Sequence, residues 1–216
     1  MAEIGQNESG FTLGYRKAPE VGAFAQSLIE HFEEDFGHLD GMHIGFLFAE
    51  EVIELHGNIV LGFAAIPQGQ GLARGVIDWA LGGVFGFLPD AVVVMNAEAW
   101  QEMTGETRAA LTYHELSHIR QKVSKKGRPS YDAEGRPVLV IVNHDVEEFF
   151  EVARRFGEWE PGMTKMREIS LSKEGKIDRK TMDSIIARAA ELAPDNSAIL
   201  AKPKRRRRGK DAGTQS

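Results

Sequence analysis

Apolar positions first recur at helical spacing after Pro19. Val21, Phe24, Leu28 and Phe32 fall on one face, Pro19 suits the first turn with Glu20 behind it, and Gly37 marks a stop. Met42 to Phe48 is rich in apolar and aromatic residues and reads as a strand, and Ile59 to Ala65 as a second. The glycine-rich, apolar segment from Gln68 to Leu88 reads as a loop and a packed helix, with Val76 to Leu88 as buried core. Its Gly69-Gln70-Gly71 lacks the further glycine and the strand–turn–helix setting of a phosphate loop. Ala91 to Met95, following Pro89-Asp90, is the clearest strand, and Ala97, Trp100 and Met103 mark a short helix after it. Thr104-Gly105-Glu106-Thr107 has the form of a helix start, with Thr104 as N-cap and Glu106 in the first turn. Ala109, Thr112, Leu116 and Ile119 give that helix a face to bury.

Farther on, Lys122 to Ser130 is basic and turn-prone. Pro137 to Val142 reads as a buried strand paired with Ser130 to Ala133 around Glu134-Gly135. Asn143 would cap a helix ending at Gly157, with Val146, Phe149, Phe150, Ala153 and Phe156 as its core stripe. His144, Glu147, Glu148 and Glu151 fall on the opposite side. Lys180 to Ala193 is amphipathic, with Met182, Ile185, Ile186, Ala189 and Leu192 on one stripe, and Pro194-Asp195-Asn196 would end it. The fold class expected is α+β, with a small mixed sheet. The chain divides into a flexible lead-in at 1–18, a domain at 19–160, a helical extension at 161–201 and a disordered basic tail at 202–216.

Composition narrows the chemistry. With 216 residues, 42% of them hydrophobic, the chain can bury a core of its own. The absence of cysteine excludes disulfides and thiolate metal sites, so any zinc falls to histidine and carboxylate ligands. Met1 to Gly10 has no apolar core of a signal peptide, and Val76 to Leu88 is too short and broken for a membrane span. The net charge of −6 is uneven. Lys202, Lys204, Arg205, Arg206, Arg207, Arg208 and Lys210 stand without an intervening acid, and setting them aside leaves 19 basic against 32 acidic residues, a balance of −13. Within that tail, Lys204 to Arg208 offer weakly sequence-specific contact to nucleic acid; a solvated tail, or one docked on the acidic body, are the alternatives.

The most specific chemical pattern is Tyr113-His114-Glu115-Leu116-Ser117-His118-Ile119, a His-Glu-x-x-His sequence on the helix opened by Thr104. Residues four apart share a helix face, so His114 and His118 can direct two imidazoles at one point, half of a tetrahedral zinc site. Glu115 is rotated by about 100° from His114. It can miss the ion and still reach a water beside it, the place of a general base in a zinc hydrolase. A catalytic zinc takes a third protein ligand, and the next helix offers His144, Glu148 and Glu147, between which periodicity does not choose. His31, His38, His43 and His56 read as surface or capping residues. The oxyanion has no evident partner, Tyr113 and Tyr131 being guesses. A strand edge beside such a site can take a peptide by strand addition, and the strand at Ala91–Met95 reads equally as that edge or as an ordinary central strand.

Three runs together resemble the phage metallopeptidase family: Ala91 to Trp100, Thr107 to His118, and His144-Asp145-Val146-Glu147-Glu148-Phe149. More distantly, the chain is similar to small zincin peptidases of the SprT-like kind. The resemblance spans roughly residues 19–160 and leaves 66–88 unmatched. It implies a compact zincin-like fold with zinc at His114, His118 and His144, Glu115 as catalytic base, and peptide or protein as substrate. The setting it implies is the bacterial host cytoplasm during infection. The competing expectation is a nucleic-acid-associated phage protein whose zinc site is structural or vestigial.

Overall fold

The computed structural model of the protein describes residues 14–55, 58–133, 135–145, 154–155, 157–158, 161–193 and 198–199. The fold is mixed α+β. Its sheet is built on two six-residue strands, β2 (Ile44–Ala49) and β6 (Ala91–Asn96), paired in parallel and buried at every position. Burial on both faces is why each reads as a continuous apolar run instead of an alternating one. β1 (Tyr15–Lys17), in the stretch read as lead-in, pairs antiparallel with the end of β2, and β9 (Ala198–Ile199) pairs with its start along the same edge. The run read as one strand at 59–65 is divided. β4 (Asn58–Val60) closes a hairpin with β3 (Ile53–Leu55), and β5 (Gly62–Ala65) joins the main sheet antiparallel to β6. β5 thus ends the order β1-β2-β6-β5, and β6 is a central strand, not the edge.

Successive residues of a strand face opposite ways, and the two faces of this sheet carry different layers. Phe46, Phe48, Val93 and Met95 pack with α1 (Pro19–His31), α5 (Gly105–Ser117) and α7 (Arg179–Leu192) in the main core. Pro19 opens α1 as expected. The expected stripe of α7 places Ile185 and Ala189 in this core, where the Ser27 hydroxyl of α1 donates to the Ile185 carbonyl at 3.0 Å. Leu47, Ala49, Val92 and Val94 face α3 (Gly71–Phe85), which meets them through Leu81 and Phe85. The rest of the Val76–Leu88 segment is not core: Val76, Trp79, Val84 and Leu88 are exposed. The apolar run covers only one side of its helix with protein, a distinction that hydrophobicity alone does not encode.

Two short helices and a ribbon complete the frame. Asn96 caps α4 (Ala97–Glu102) by accepting from the Ala99 amide at 2.9 Å. β7 (Ile119–Gln121) follows α5 directly and pairs with β8 (Leu139–Ile141). The turn region between them forms further bridges, Val123 with Pro129 and Tyr131 with Pro137, with Gly127 and Gly135 at positive φ. β8 is only half-buried, with Ile141 exposed, so the buried strand expected at 137–142 is instead one side of a surface ribbon. α2 (Glu33–Phe36) and α6 (Pro161–Leu171) are peripheral to the sheet. The helix expected at 143–157 lies mostly outside the described residues, as do Glu147, Glu148, Glu151 and the basic tail.

Candidate metal centre

The centre begins with the capping of α5. Thr104 accepts a hydrogen bond from the Thr107 amide at 3.2 Å, fixing the start of the helix. Ala109, Thr112 and Leu116 are buried, which fixes its rotation about its axis. With that face turned inward, His114 and His118 emerge together on the exposed flank. His118 is the C-cap residue, still in right-handed helical conformation, so the i, i+4 relation survives at the helix end. Ile119 is buried directly after it, and the chain leaves as β7.

β8 runs back along β7, and the irregular segment after it places His144 against the other two rings. The His114 Nε2 lies 3.3 Å from the His118 Nε2 and 3.1 Å from the His144 Nε2. Two nitrogens on a tetrahedral zinc would stand about 3.4 Å apart at ordinary Zn–N lengths. The three imidazoles are the group of metal-ligating type found among the described residues, their ligand atoms all within 4.8 Å of one another. The Nδ1–H of His118 donates to the Val142 carbonyl at 2.7 Å. That bond assigns the proton to Nδ1, leaving the Nε2 lone pair facing the cluster, as a metal-ligating histidine requires. Burial, with the two neighbouring imidazoles adding to it, pushes the His114 pKa below the ordinary value. The neutral, donating form is thereby favoured. The donor set fits a divalent metal on three grounds: atom type, spacing and tautomer.

Glu115 is turned about 100° around the helix from His114, toward β5 and the interior. It is 3% exposed, its Oε2 has no hydrogen-bond partner, and burial raises its pKa to about 7. A buried carboxylate left without a partner is uncommon and calls for a chemical reason. Room for it comes from Gly62 at the start of β5. A Cβ there would stand 3.1 Å from the Glu115 Oε1 and 2.6 Å from the Met95 Sδ. Gly62 went unnoticed in the sequence because nothing local distinguishes it from the other glycines. The signal is a contact between segments more than fifty positions apart.

A cleft of about 380 Å³ opens over the cluster between β5 and the Ile141–His144 segment, with His114, Glu115 and His118 in its lining. A second, of about 430 Å³, continues past the same three histidines toward Ser117, Arg120, Asp145 and Met166. Neither tyrosine considered for the oxyanion lines either cleft. Tyr113 faces the core side of α5, donating to the Asp35 Oδ2 at 2.7 Å, and burial raises its pKa to about 12. Tyr131 is exposed on the ribbon beside Pro137. The remaining described histidines stand elsewhere. His38 donates to the Ile119 carbonyl at 2.7 Å, His31 donates to the Ser27 carbonyl at 2.9 Å, and His43 packs on Phe87.

Three imidazoles on one open face of an α+β domain, with a buried carboxylate next to them in sequence, define a candidate metal-dependent enzyme centre. The chain belongs to the family described as "Putative phage metallopeptidase", whose model matches residues 13–168. The match begins ahead of the resemblance drawn from the motifs and takes in the glycine-rich segment those motifs left aside. No curated protein and no solved structure matches the chain. The family name implies a metallopeptidase, and with it a metal and a peptide substrate. No described helix is long and apolar enough to cross a membrane. Neither the family nor the described residues support nucleic-acid binding, and Lys204 to Arg208 lie outside those residues.

Proposed function

We propose that the protein is a zinc-dependent peptidase in which His114, His118 and His144 hold the ion and Glu115 is the general base. The observation that carries this reading is the convergence of three histidine ring nitrogens within 4.8 Å of one another, beside a buried carboxylate with an unpartnered oxygen. A divalent ion held there would acidify a water and polarise the scissile carbonyl. With a pKa of about 7, Glu115 is suited to exchanging protons near neutrality. It takes a proton from the attacking water as the water oxygen bonds to the carbonyl carbon. It then delivers that proton to the amine as the C–N bond breaks, and acid and amine products leave.

Substrate binding is read from β5. Among the described residues this strand ends the sheet, and one wall of the 380 Å³ cleft is formed by Gly62, Phe63 and Ala64. An extended peptide added along that edge would pass across the histidine cluster with its backbone hydrogen-bonded to the strand. The setting proposed is the host cell during phage infection, in keeping with the family.

The test is Glu115→Gln, assayed against a mixed peptide library with metal content measured in parallel. The expected outcome is retained metal with hydrolysis reduced at least a hundredfold, the scale of a lost general base. A variant as active as the parent would remove Glu115 from the role of base, and a parent inactive on every peptide while binding metal fully would favour a structural metal site; either result overturns the reading.

A further inference from the structure

α3 closes one side of the sheet with Leu81 and Phe85, yet its outward side is also apolar. Leu72 is 86% exposed, Val76 56%, Trp79 80% and Val84 41%. Apolar side chains scattered singly over a surface need no explanation, but Leu72, Val76 and Trp79 recur at helical spacing on one face, with Val84 exposed at its border. Together they form a patch on the order of 500 Å², at the size where an apolar surface of a monomer marks an interaction site.

Charge, shape and area each bear on what covers it. α3 carries one cation and one anion, Arg74 and Asp78, and they are paired with each other at 2.7 Å. A helix that lies on a lipid surface is flanked by lysine and arginine, and this one has no such flank; the acidic balance of the chain outside its tail would also repel anionic lipid. Gly75, Trp79 and Gly83 follow one another at intervals of four, along a single ridge of the helix. A Cβ placed on Gly75 or on Gly83 meets nothing within 4 Å, so the indole stands between two bare patches. Turning this ridge about a two-fold axis sets each indole over a glycine of the other copy, and the contact is reciprocal, as isologous pairing demands. Two such faces bury about 1,000 Å² together, the lower limit for a specific interface.

We propose that the chain pairs with a second copy of itself through the outward face of α3, with Trp79 of each copy seated over Gly75 or Gly83 of the other. The pairing is independent of the peptidase reading. α3 packs on the Leu47 and Val92 face of the sheet, and the α5 metal helix on the Phe46 and Val93 face, so the histidine cluster stays open in the pair.

Analytical ultracentrifugation of the full chain over a range of concentrations, from low micromolar upward, tests this. The expected result is a reversible monomer–dimer equilibrium. Trp79→Lys should abolish it. Of Gly75→Leu and Gly83→Leu, each at a position where a Cβ meets nothing within 4 Å, at least one should weaken it about tenfold by filling the bare patch under the indole, as blocking a central packing contact does. These variants should keep the parent's circular dichroism at concentrations where the parent is monomeric. A parent that stays monomeric throughout overturns the proposal, and so does a dimer indifferent to Trp79→Lys and to both glycine substitutions. A monomer that sediments with phosphatidylcholine vesicles through Trp79 would identify a lipid-facing helix instead.

Discussion

Glu115 is the residue on which chemistry and stability meet. Its ordinary pKa is 4.5, and burial in the metal-free protein raises it to about 7. The folded state therefore retains a proton that the unfolded chain gives up across that interval. A raised carboxylate pKa means that stability from this group is full below about pH 4.5 and declines as pH rises through 7. The decline should amount to at most roughly 3–4 kcal/mol for a shift of this size. Thermal melts of metal-free parent and Glu115→Gln, between about pH 5 and about pH 8, check the sign. The variant should gain on the parent as pH rises, and a constant difference would show that the carboxylate is not held in a costly environment. At this scale much was legible in advance. The i, i+4 histidines and the acid between them follow from local spacing alone. Tyr113 stands away from the clefts because adjacency in sequence on a helix means a rotation of about 100°, which carries it to Asp35 on the core side.

Among elements, the approach of β5 to α5 positions the candidate base, and Gly62 permits it. Alanine at this position would bring a Cβ within 2.6 Å of the Met95 Sδ and 3.2 Å of the Val94 carbonyl oxygen, neither distance being tenable without displacement. Gly62→Ala should destabilise the fold by roughly 1–3 kcal/mol, the usual cost of overpacking. It should lower peptidase activity further than the fraction unfolded explains, because the Glu115 carboxylate must shift as well. Denaturant titration and steady-state assay of the same preparation separate the two effects; unchanged stability would show that β5 yields freely. The motif helix, its Thr104 cap, the Ala91 strand and the amphipathic helix at the C-terminal side were readable because each is specified by its own periodicity and ends. The placement of β5 at the sheet edge was not, since strand order is a property of partners and not of a segment. The exposure of α3 escaped for a related reason: its composition reports that it is apolar, not which side the protein covers.

For the whole molecule, the topology separates two surfaces. The cleft with its three histidines opens on the α5 side of the sheet, and the bare apolar ridge of α3 lies on the other. The family assignment covers residues 13–168 and hence both. His114, His118 and His144 come from two segments that meet only because β7 and β8 pair, with Ile119 opposite Ile141 in the register. The central claim is that these three side chains share one divalent ion. Elemental analysis of the purified protein, parent against His114→Ala and His144→Ala, tests it most directly. About one zinc per chain in the parent, lost from both variants while circular dichroism stays native, is the outcome expected for a three-histidine site. Zinc that stays near stoichiometric in both variants, or a parent that binds none when supplied with it, would contradict the account.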